Sequence, residues 1–506
     1  MKLVRYQEPE FLSFEDLVLM SENQYPQEGR VRQRFENLWL TPIISNEAHY
    51  AGKTPHRPTS PELGKFVRVV TWNIEQSLNM AEAISAFTDE EAFEKLIDTK
   101  RARPGRGRHR RVLNERKLLV DADIIILQEM DLGVKRSGYR NAVKDLAQAA
   151  GMNYAYLPEY LEVDPVILGR ETITFEGGGT DIEATEYYRV DPKRFKGLFG
   201  CAVLSRYPIV YVEGFRLYNQ GYDWYGREKQ KTSYLERLRR FSAREVFNES
   251  LHREVKMGGR TYFRVDLEVP GLPEERISII NVHLEIKCGP ELRTQQMAEI
   301  LSYIKAIGHP VILAGDFNSA PYDLSPTSTP RVVEKGLMSP AFALSRVLDA
   351  FLPQALFVGT MQAVSTMTKN YQNPTAPHVP VLAPNRVGEL FKIIERFRFN
   401  DGSRFDFRGG RGRSAGYRGT LSNSNERDKW GYKTTFKVDR ALAGLVGKFR
   451  LDWIFVKAYL TQPHGHGSYR FAPHFGRTLN DLNKYLKLRI SDHDPCLVDL
   501  PLGEPA

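Results

Sequence analysis

Cysteine is scarce in this sequence: 506 residues contain three, Cys201, Cys288 and Cys496. They are odd in number, far apart and form no C-x-x-C pair, which argues against a disulfide framework and a thiolate zinc site. Cys201 and Cys496 sit in apolar runs and read as small core residues. Long apolar runs are also missing. None approaches the roughly 18 residues of a membrane-spanning helix, so none is expected. The opening "MKLVRYQEPEFLSFEDLVLM" carries Glu8, Glu10, Glu15 and Asp16 where a secretory leader needs apolar residues, so the expectation is a cytoplasmic protein. No repeat of fixed period is present. Nor is the charge one-sided. The 71 basic and 62 acidic residues leave +9, a moderate excess that favours polyanionic partners only weakly.

What is present suits a large folded core. Hydrophobic residues make up 42% and aromatics 11%, which excludes wholesale disorder. The length fits one large domain with insertions, or two to three domains. Residues 1–64 read as a lead-in segment with one helix, "SFEDLVLMSEN", opened by Ser13 with Asp16 three residues on. From 65 to 323, short apolar strands alternate with amphipathic helices. "FVRVVTWN", "ADIIILQEMD", "RISIINVHLEI" and "VILAGDFN" are strands, and "RNAVKDLAQAAG" and "PELRTQQMAEILSYIKAIG" are helices. "REVKMGGRTYFRVDLEV" reads as a hairpin about Gly258-Gly259. Residues 324–432 break the pattern. Two helical stretches, a hairpin at Asn400-Asp401-Gly402 and a mobile Gly/Arg/Ser-rich loop suggest an insertion. Core-like strands resume over 433–506. Strands, helices and hairpins are mixed, so an α/β domain with mixed sheets is expected.

Polar residues gather at the strand edges. Asn73 ends the first strand and Glu129 the second; His283 lies in "NVHLE"; Asp316 and Asn318 follow "VILAG"; Asp452 opens "DWIFV"; Asp492 and His493 precede "PCLVDL". Each alone has an ordinary explanation. Asp316 and Asn318 suit a turn, Asn73 a strand end, Glu129 a solvated acid, His283 a satisfied core histidine. In a mixed sheet, however, the start of one strand lies beside the end of its antiparallel neighbour, so all eight could meet at one rim. Carboxylates so gathered raise one another's pKa. A hard divalent cation, Mg²⁺ with Mn²⁺ as a substitute, resolves that conflict. Imidazole and amide donors would complete a site for a phosphate under transfer. Asn114 and Asp131 read as ordinary loop residues, and Arg293 and Gln296 as a solvated helix face.

The pieces "TWNIE", "LQEMD", "NVHLE", "GDFNSAP", "RLDWIFV" and "SDHDP" occur in the order found in the endonuclease/exonuclease/phosphatase superfamily, which the chain resembles over about 66–323 and 433–500. The resemblance implies the deoxyribonuclease I-like four-layer sandwich, two mixed sheets packed face to face with helices outside. It also implies roles. Glu129, with Asn73, would hold the metal, and Asp492 would be a further ligand. Asp316 and Asn318 would position or deprotonate water. Asp452 would fix His493, and His283 would contact the phosphate. Either Asp316 or the His493–Asp452 pair would be the general base.

Phosphodiester hydrolysis, with nucleic acid as the substrate, is the leading reading. Inositol phosphates or lipid headgroups are the alternative. A non-catalytic module on this fold should have lost the metal acid or the dyad, and neither is lost. Between 100 and 117 lie nine Lys/Arg and one Glu. Arg101, Arg103, Arg106, Arg108, Arg110 and Arg111 would bind phosphate backbones, or else form a solvated, partly disordered loop.

Overall fold

The computed structural model describes residues 3–24, 29–174, 179–229, 254–319, 388–429, 431–437, 448–460 and 469–502. Thirteen strands carry the fold. They are β1 (Ile43–Ser45), β2 (Gly64–Asn73), β3 (Ile124–Leu132), β4 (Asn153–Glu162), β5 (Leu198–Ser205), β6 (Ile209–Arg216), β7 (Lys256–Gly258), β8 (Thr261–Glu268), β9 (Arg276–His283), β10 (Val311–Asp316), β11 (Asp452–Lys457), β12 (His474–Thr478) and β13 (Cys496–Pro501). The first sheet runs β1-β4-β5-β3-β2-β13-β12, with β7 added beside β4 and Thr59–Ser60 beside β2. The second runs β11-β10-β9-β8-β6. The main helices are α1 (Phe14–Glu22), α2 (Gly29–Leu40), α3 (Met80–Thr88), α4 (Gly107–Val120), α5 (Ala142–Ala150), α6 (Trp224–Lys229), α7 (Pro290–Ile304), α8 (Gly388–Arg396) and α9 (Asn480–Lys484).

The apolar strands have no polar alternation because both faces of each are covered. In β10, Ile312 and Ala314 meet Val69, Ile124, Val265 and Ile454 between the sheets. Val311 and Leu313 face the other way, onto Met297 and Ile304 of α7 and Leu390 and Ile394 of α8. In β3, Ile124 and Ile126 point between the sheets, while Ile125 and Leu127 meet Val143 and Leu146 of α5. Helices, sheet, sheet and helices make four layers, as the resemblance implied. Each of these buried Val, Leu, Ile and Met side chains stabilises the fold by roughly 1.5–3 kcal/mol. A polar clasp joins the sheets near one rim. Asn281 of β9 donates to the Leu127 and Ala202 carbonyls, both at 2.9 Å, and accepts from Gln128 at 2.8 Å.

Local signals shape the helix ends as expected. Ser13 and Asp16 form a reciprocal capping box on α1. Gly151 ends α5 at φ 63°.

Several expectations need correction. Gly258-Gly259 is not a hairpin. β7 pairs with β4, and β8 pairs with β6 and β9, so the two glycines carry the chain from one sheet to the other. Arg293 and Gln296 are not solvated; they are 1% and 0% exposed. The 284–289 loop folds over them. Arg293 donates to the Cys288 carbonyl at 2.8 Å, and Gln296 accepts from the Glu285 N–H at 3.1 Å. Asp131 is no loop residue. It is buried in β3 and paired with Arg136 at 2.6 Å.

The end of the Gly/Arg/Ser-rich stretch, residues 421–425, is buried against the domain. The reason is the bare edge of β11, which needs partners. Asn425 accepts from the Ile454 N–H at 3.1 Å and donates to its carbonyl at 2.8 Å, in the manner of a strand residue. The Asn400-Asp401-Gly402 turn closes through Phe399 and Ser403, yet its flanks form no strands. They bury Phe399 and Phe405 on the second sheet instead, with half-buried Phe407 packed beside them. The basic run of 100–117 is chiefly helix, α4, rather than a loop. The expected helix over 339–352 lies outside the described residues.

Candidate active site

The strand register brings the expected residues to one rim. In parallel pairs, Asn73 stands opposite Gln128 and His283 opposite Asp316; in an antiparallel pair, Asp316 stands opposite Asp452. Asn73 ties the sheets together. Its Nδ2 donates to Glu129 Oε1 and Asp316 Oδ2, both at 3.1 Å, and its Oδ1 accepts from the Glu75 N–H at 3.1 Å. Glu129 is thrown out of the sheet plane by a bulge between Leu127 and Met130, with φ 61°. Its Oε2 accepts from the Gln76 N–H at 3.1 Å.

Gly315 makes the "GDFN" turn possible. At φ 144°, a Cβ there would collide with the Val282 carbonyl oxygen. Asp316 Oδ1 then accepts from the Asn318 N–H at 2.8 Å, and Asn318, at φ 47°, donates to the Leu284 carbonyl at 2.9 Å. The two residues thus form the turn that the sequence suggested, with Asp316 Oδ2 left facing Asn73 and His493.

The "SDH" segment is laced to β2. Ser491 donates to the Asn73 carbonyl at 2.7 Å, and Trp72 Nε1 donates to the His493 carbonyl at 3.0 Å. His493 Nδ1 meets buried Asp452 Oδ2 at 2.8 Å, and its Nε2 faces Asp316 Oδ2 at 4.0 Å. Burial opposes a charged imidazole, but the Asp452 carboxylate outweighs it and raises His493 well above its ordinary value. Burial also raises Asp316, although His493 pulls against it. Asp492 lies beside Glu75, which accepts from its N–H at 2.9 Å. Burial and the Glu75 charge push the Asp492 carboxyl up to about 8.

His283 has a partner of its own. Its Nδ1 meets Glu159 Oε2 at 2.8 Å, and its Nε2 lies 3.9 Å from Glu129 Oε1. Arg260 bonds the same Glu159 oxygen at 3.1 Å and the Glu285 carboxylate at 3.2 Å. Burial opposes the Glu159 charge, but His283 and Arg260 prevail and hold it below its ordinary value. The rim thus carries two imidazole–carboxylate pairs, their Nε2 atoms turned toward Glu129 and Asp316, which Asn73 clasps.

Sequence reading missed Glu75, Glu159 and Arg260. Glu75 could have been found, since it closes "TWNIE" two residues beyond Asn73. Glu159 gave one faint signal, a charge inside a strand buried throughout. Arg260 follows the two glycines and gave none. The six arginines are all exposed, and none bonds to a rim residue among the described contacts. Arg111 pairs with Asp481 at 2.6 Å, on α9, whose Asn483 donates to the His493 carbonyl.

At the rim, Asp316, Asp452 and His493 bring one ligand atom each within 4.8 Å of one another, and a second donor set is all oxygen. Glu129, Asn73 Oδ1, Glu75 and Asp492 offer oxygen, and burial together with the Glu129 charge raises Glu75 despite Arg489 at 3.1 Å. That is an excess of negative charge which a divalent ion would offset. The buried Glu159, Cys201 and His283 also converge, but the Arg260 guanidinium already supplies the cation there.

The sequence model of the Endonuclease/Exonuclease/phosphatase family matches residues 70–493, spanning every one of these rim residues but none beyond His493. The chain belongs to this family. Members are metal-dependent phosphoesterases. The chain is similar to an endonuclease/exonuclease/phosphatase of Beutenbergia cavernae at 15% identity, covering 87% of this chain and 72% of that one, with TM-score 0.36. It is similar to a 3'-5' exonuclease of Neisseria meningitidis at 13% identity (86% and 99% covered, TM-score 0.36). It is also similar to an AP endonuclease of Archaeoglobus fulgidus at 11% identity (85% and 98% covered, TM-score 0.36). No curated protein matches the sequence significantly. Among the described residues, no helix is long and apolar enough to cross a membrane.

Proposed function

We propose that this chain hydrolyses phosphodiester bonds of nucleic acid with Mg²⁺, or Mn²⁺ in its place. The observation that carries the reading is the clasp of Glu129 and Asp316 by Asn73 between the His283–Glu159 and His493–Asp452 pairs. When bound at Glu129, Asn73 and Asp492, the cation supplies positive charge to the phosphate oxygens. The protein does the rest. His493, kept protonated by Asp452, donates to a phosphate oxygen through Nε2. A protonated imidazole cannot take a proton from water, so that task falls to Asp316, whose raised pKa makes it a better base. Asn318, set by its turn, orients the water. His283 stabilises developing charge from the opposite side.

The test is a panel of single-stranded and duplex DNA, RNA, inositol phosphates and a chromogenic phosphodiester, each with Mg²⁺, Mn²⁺ or EDTA. Cleavage of nucleic acid that EDTA abolishes is the expected result. Turnover of inositol phosphates alone would move the assignment to small phosphoesters, and full activity in EDTA would refute the mechanism.

A further inference from the structure

A cleft of about 880 Å³ lies between α2, the segment following β6, α6 and the crossover from β7 to β8. The catalytic groups do not line it. Its walls are aromatic: Phe35, Trp39, Tyr218, Tyr222, Trp224 and Tyr225. Four cations line it: Arg32 pairs with Glu36 at 2.9 Å and buried Lys256 pairs with Glu254, while Arg216 and Arg227 are exposed near Asp223. Tyr218 is 91% exposed, an unusual state for a ring at a cleft rim. Its backbone is nevertheless held, because its N–H donates to Glu299 Oε1 at 2.7 Å. Trp39 is 4% exposed, and its Nε1, like Gln220 Oε1, has no hydrogen-bond partner among the described residues.

The cleft shares a wall with the reacting centre. Trp224 Nε1 donates to Glu285 Oε2 at 3.1 Å, Arg260 bonds the same oxygen at 3.2 Å, and Arg260 and His283 meet on Glu159. Glu285, Arg260 and Glu159, all buried, thus link the Trp224 wall of the cleft to His283.

We infer that this cleft is a nucleotide subsite, in which a base stacks on the exposed Tyr218 ring while its phosphate meets Arg216 and Arg227, both exposed. The inference rests on the nucleic-acid reading of the catalytic rim. Rings that stack and cations that track a backbone are the two parts of a single-strand groove. A lipid tail would instead require an unbroken apolar lining, and Asn219, Gln220 and the charged residues interrupt it. The nucleotide could belong to a substrate strand or be free, and the two are separable by experiment.

The full-length protein is held in EDTA to stop turnover, and its tryptophan fluorescence is followed against an octaadenylate RNA, AMP and inorganic phosphate. The RNA should quench the signal and inorganic phosphate should not. Y218A should weaken RNA binding about five- to a hundredfold, the usual scale for one stacked base, with its melting curve kept. R227Q should weaken it and flatten its salt dependence. Y50A, an exposed tyrosine elsewhere, is the control and should bind as the wild type does. Loss of AMP binding in Y218A as well would assign the site to free nucleotide; loss for RNA alone would assign it to the strand. Absent quenching, or wild-type affinity in Y218A, overturns the inference, and RNA cleavage in Mg²⁺ would then still support the nuclease reading. Conversely, binding that depends on Tyr218 without cleavage of any DNA or RNA in Mg²⁺ or Mn²⁺ keeps the subsite and refutes the nuclease reading.

Discussion

Replacing Asp452 by asparagine removes one charge and almost no volume. The carboxylate is fully buried, with Oδ2 at 2.8 Å from His493 Nδ1. An asparagine oxygen can still accept from Nδ1, so the ring should keep its place. The charges sit about 4 Å apart, and at an effective dielectric near 20 they attract by roughly 4 kcal/mol. Burial continues to oppose the imidazolium once that attraction is gone. His493 should therefore become neutral at pH 7.5, and kcat should fall by about two to three orders of magnitude, with the activity retained best at low pH. Stability should also drop. Asp452 Oδ1 has no hydrogen-bond partner among the described residues, so an amide NH₂ there would be a buried donor left unpaired, costing about 1–3 kcal/mol. The assay is kcat against pH on a chromogenic phosphodiester, per mole of protein shown folded by near-UV circular dichroism. A wild-type rate with an unshifted profile would refute the assignment of His493 as a charged donor held by Asp452.

Asn318→Gly keeps the backbone free to hold its positive φ and removes only the side chain, so a loss of at least about a hundredfold in turnover assigns that amide to the reaction; an active variant would leave Asn318 as a turn residue. Asp316→Ala should lose at least as much while remaining folded. Serine at Arg101, Arg103, Arg106, Arg108 and Arg110 should weaken binding to every sequence alike and flatten the log–log salt slope, by about 0.9 per lost duplex contact; an unchanged slope would make α4 a solvated face. Burial raises Glu115 from 4.5 to about 8, although the Leu482 N–H, at 2.7 Å, pulls it down. A raised carboxyl contributes stability below pH 4.5 and loses it as pH rises through about 8. The wild type should thus melt lower at pH 8.5 than at pH 5.5, and Glu115→Gln should shrink that difference; equal pH dependence in both proteins would contradict the shift.

What the sequence by itself determined is local. A run such as "VILAGDFN" announces a strand covered on both faces and a polar turn at its end, because apolar burial and turn chemistry act within a few neighbouring residues. The order of such pieces was enough to name the family and most of the rim: Asn73, Glu129, His283, Asp316, Asn318, Asp452, Asp492 and His493. Tertiary structure alone decided what pairs with what. Glu159 reaches His283 across 124 residues only because β4 and β9, from different sheets, are packed against each other. Arg260 arrives there because two glycines pass the chain between sheets rather than turning it back. Arg293 and Gln296 look solvated on a helical wheel and are buried, since a loop covers that face. Asn425 looks like part of a mobile loop and instead pairs with the open edge of β11. Helix period and strand alternation are set by the backbone of one segment, whereas these contacts depend on which distant segment arrives to satisfy a buried charge or an unpaired edge.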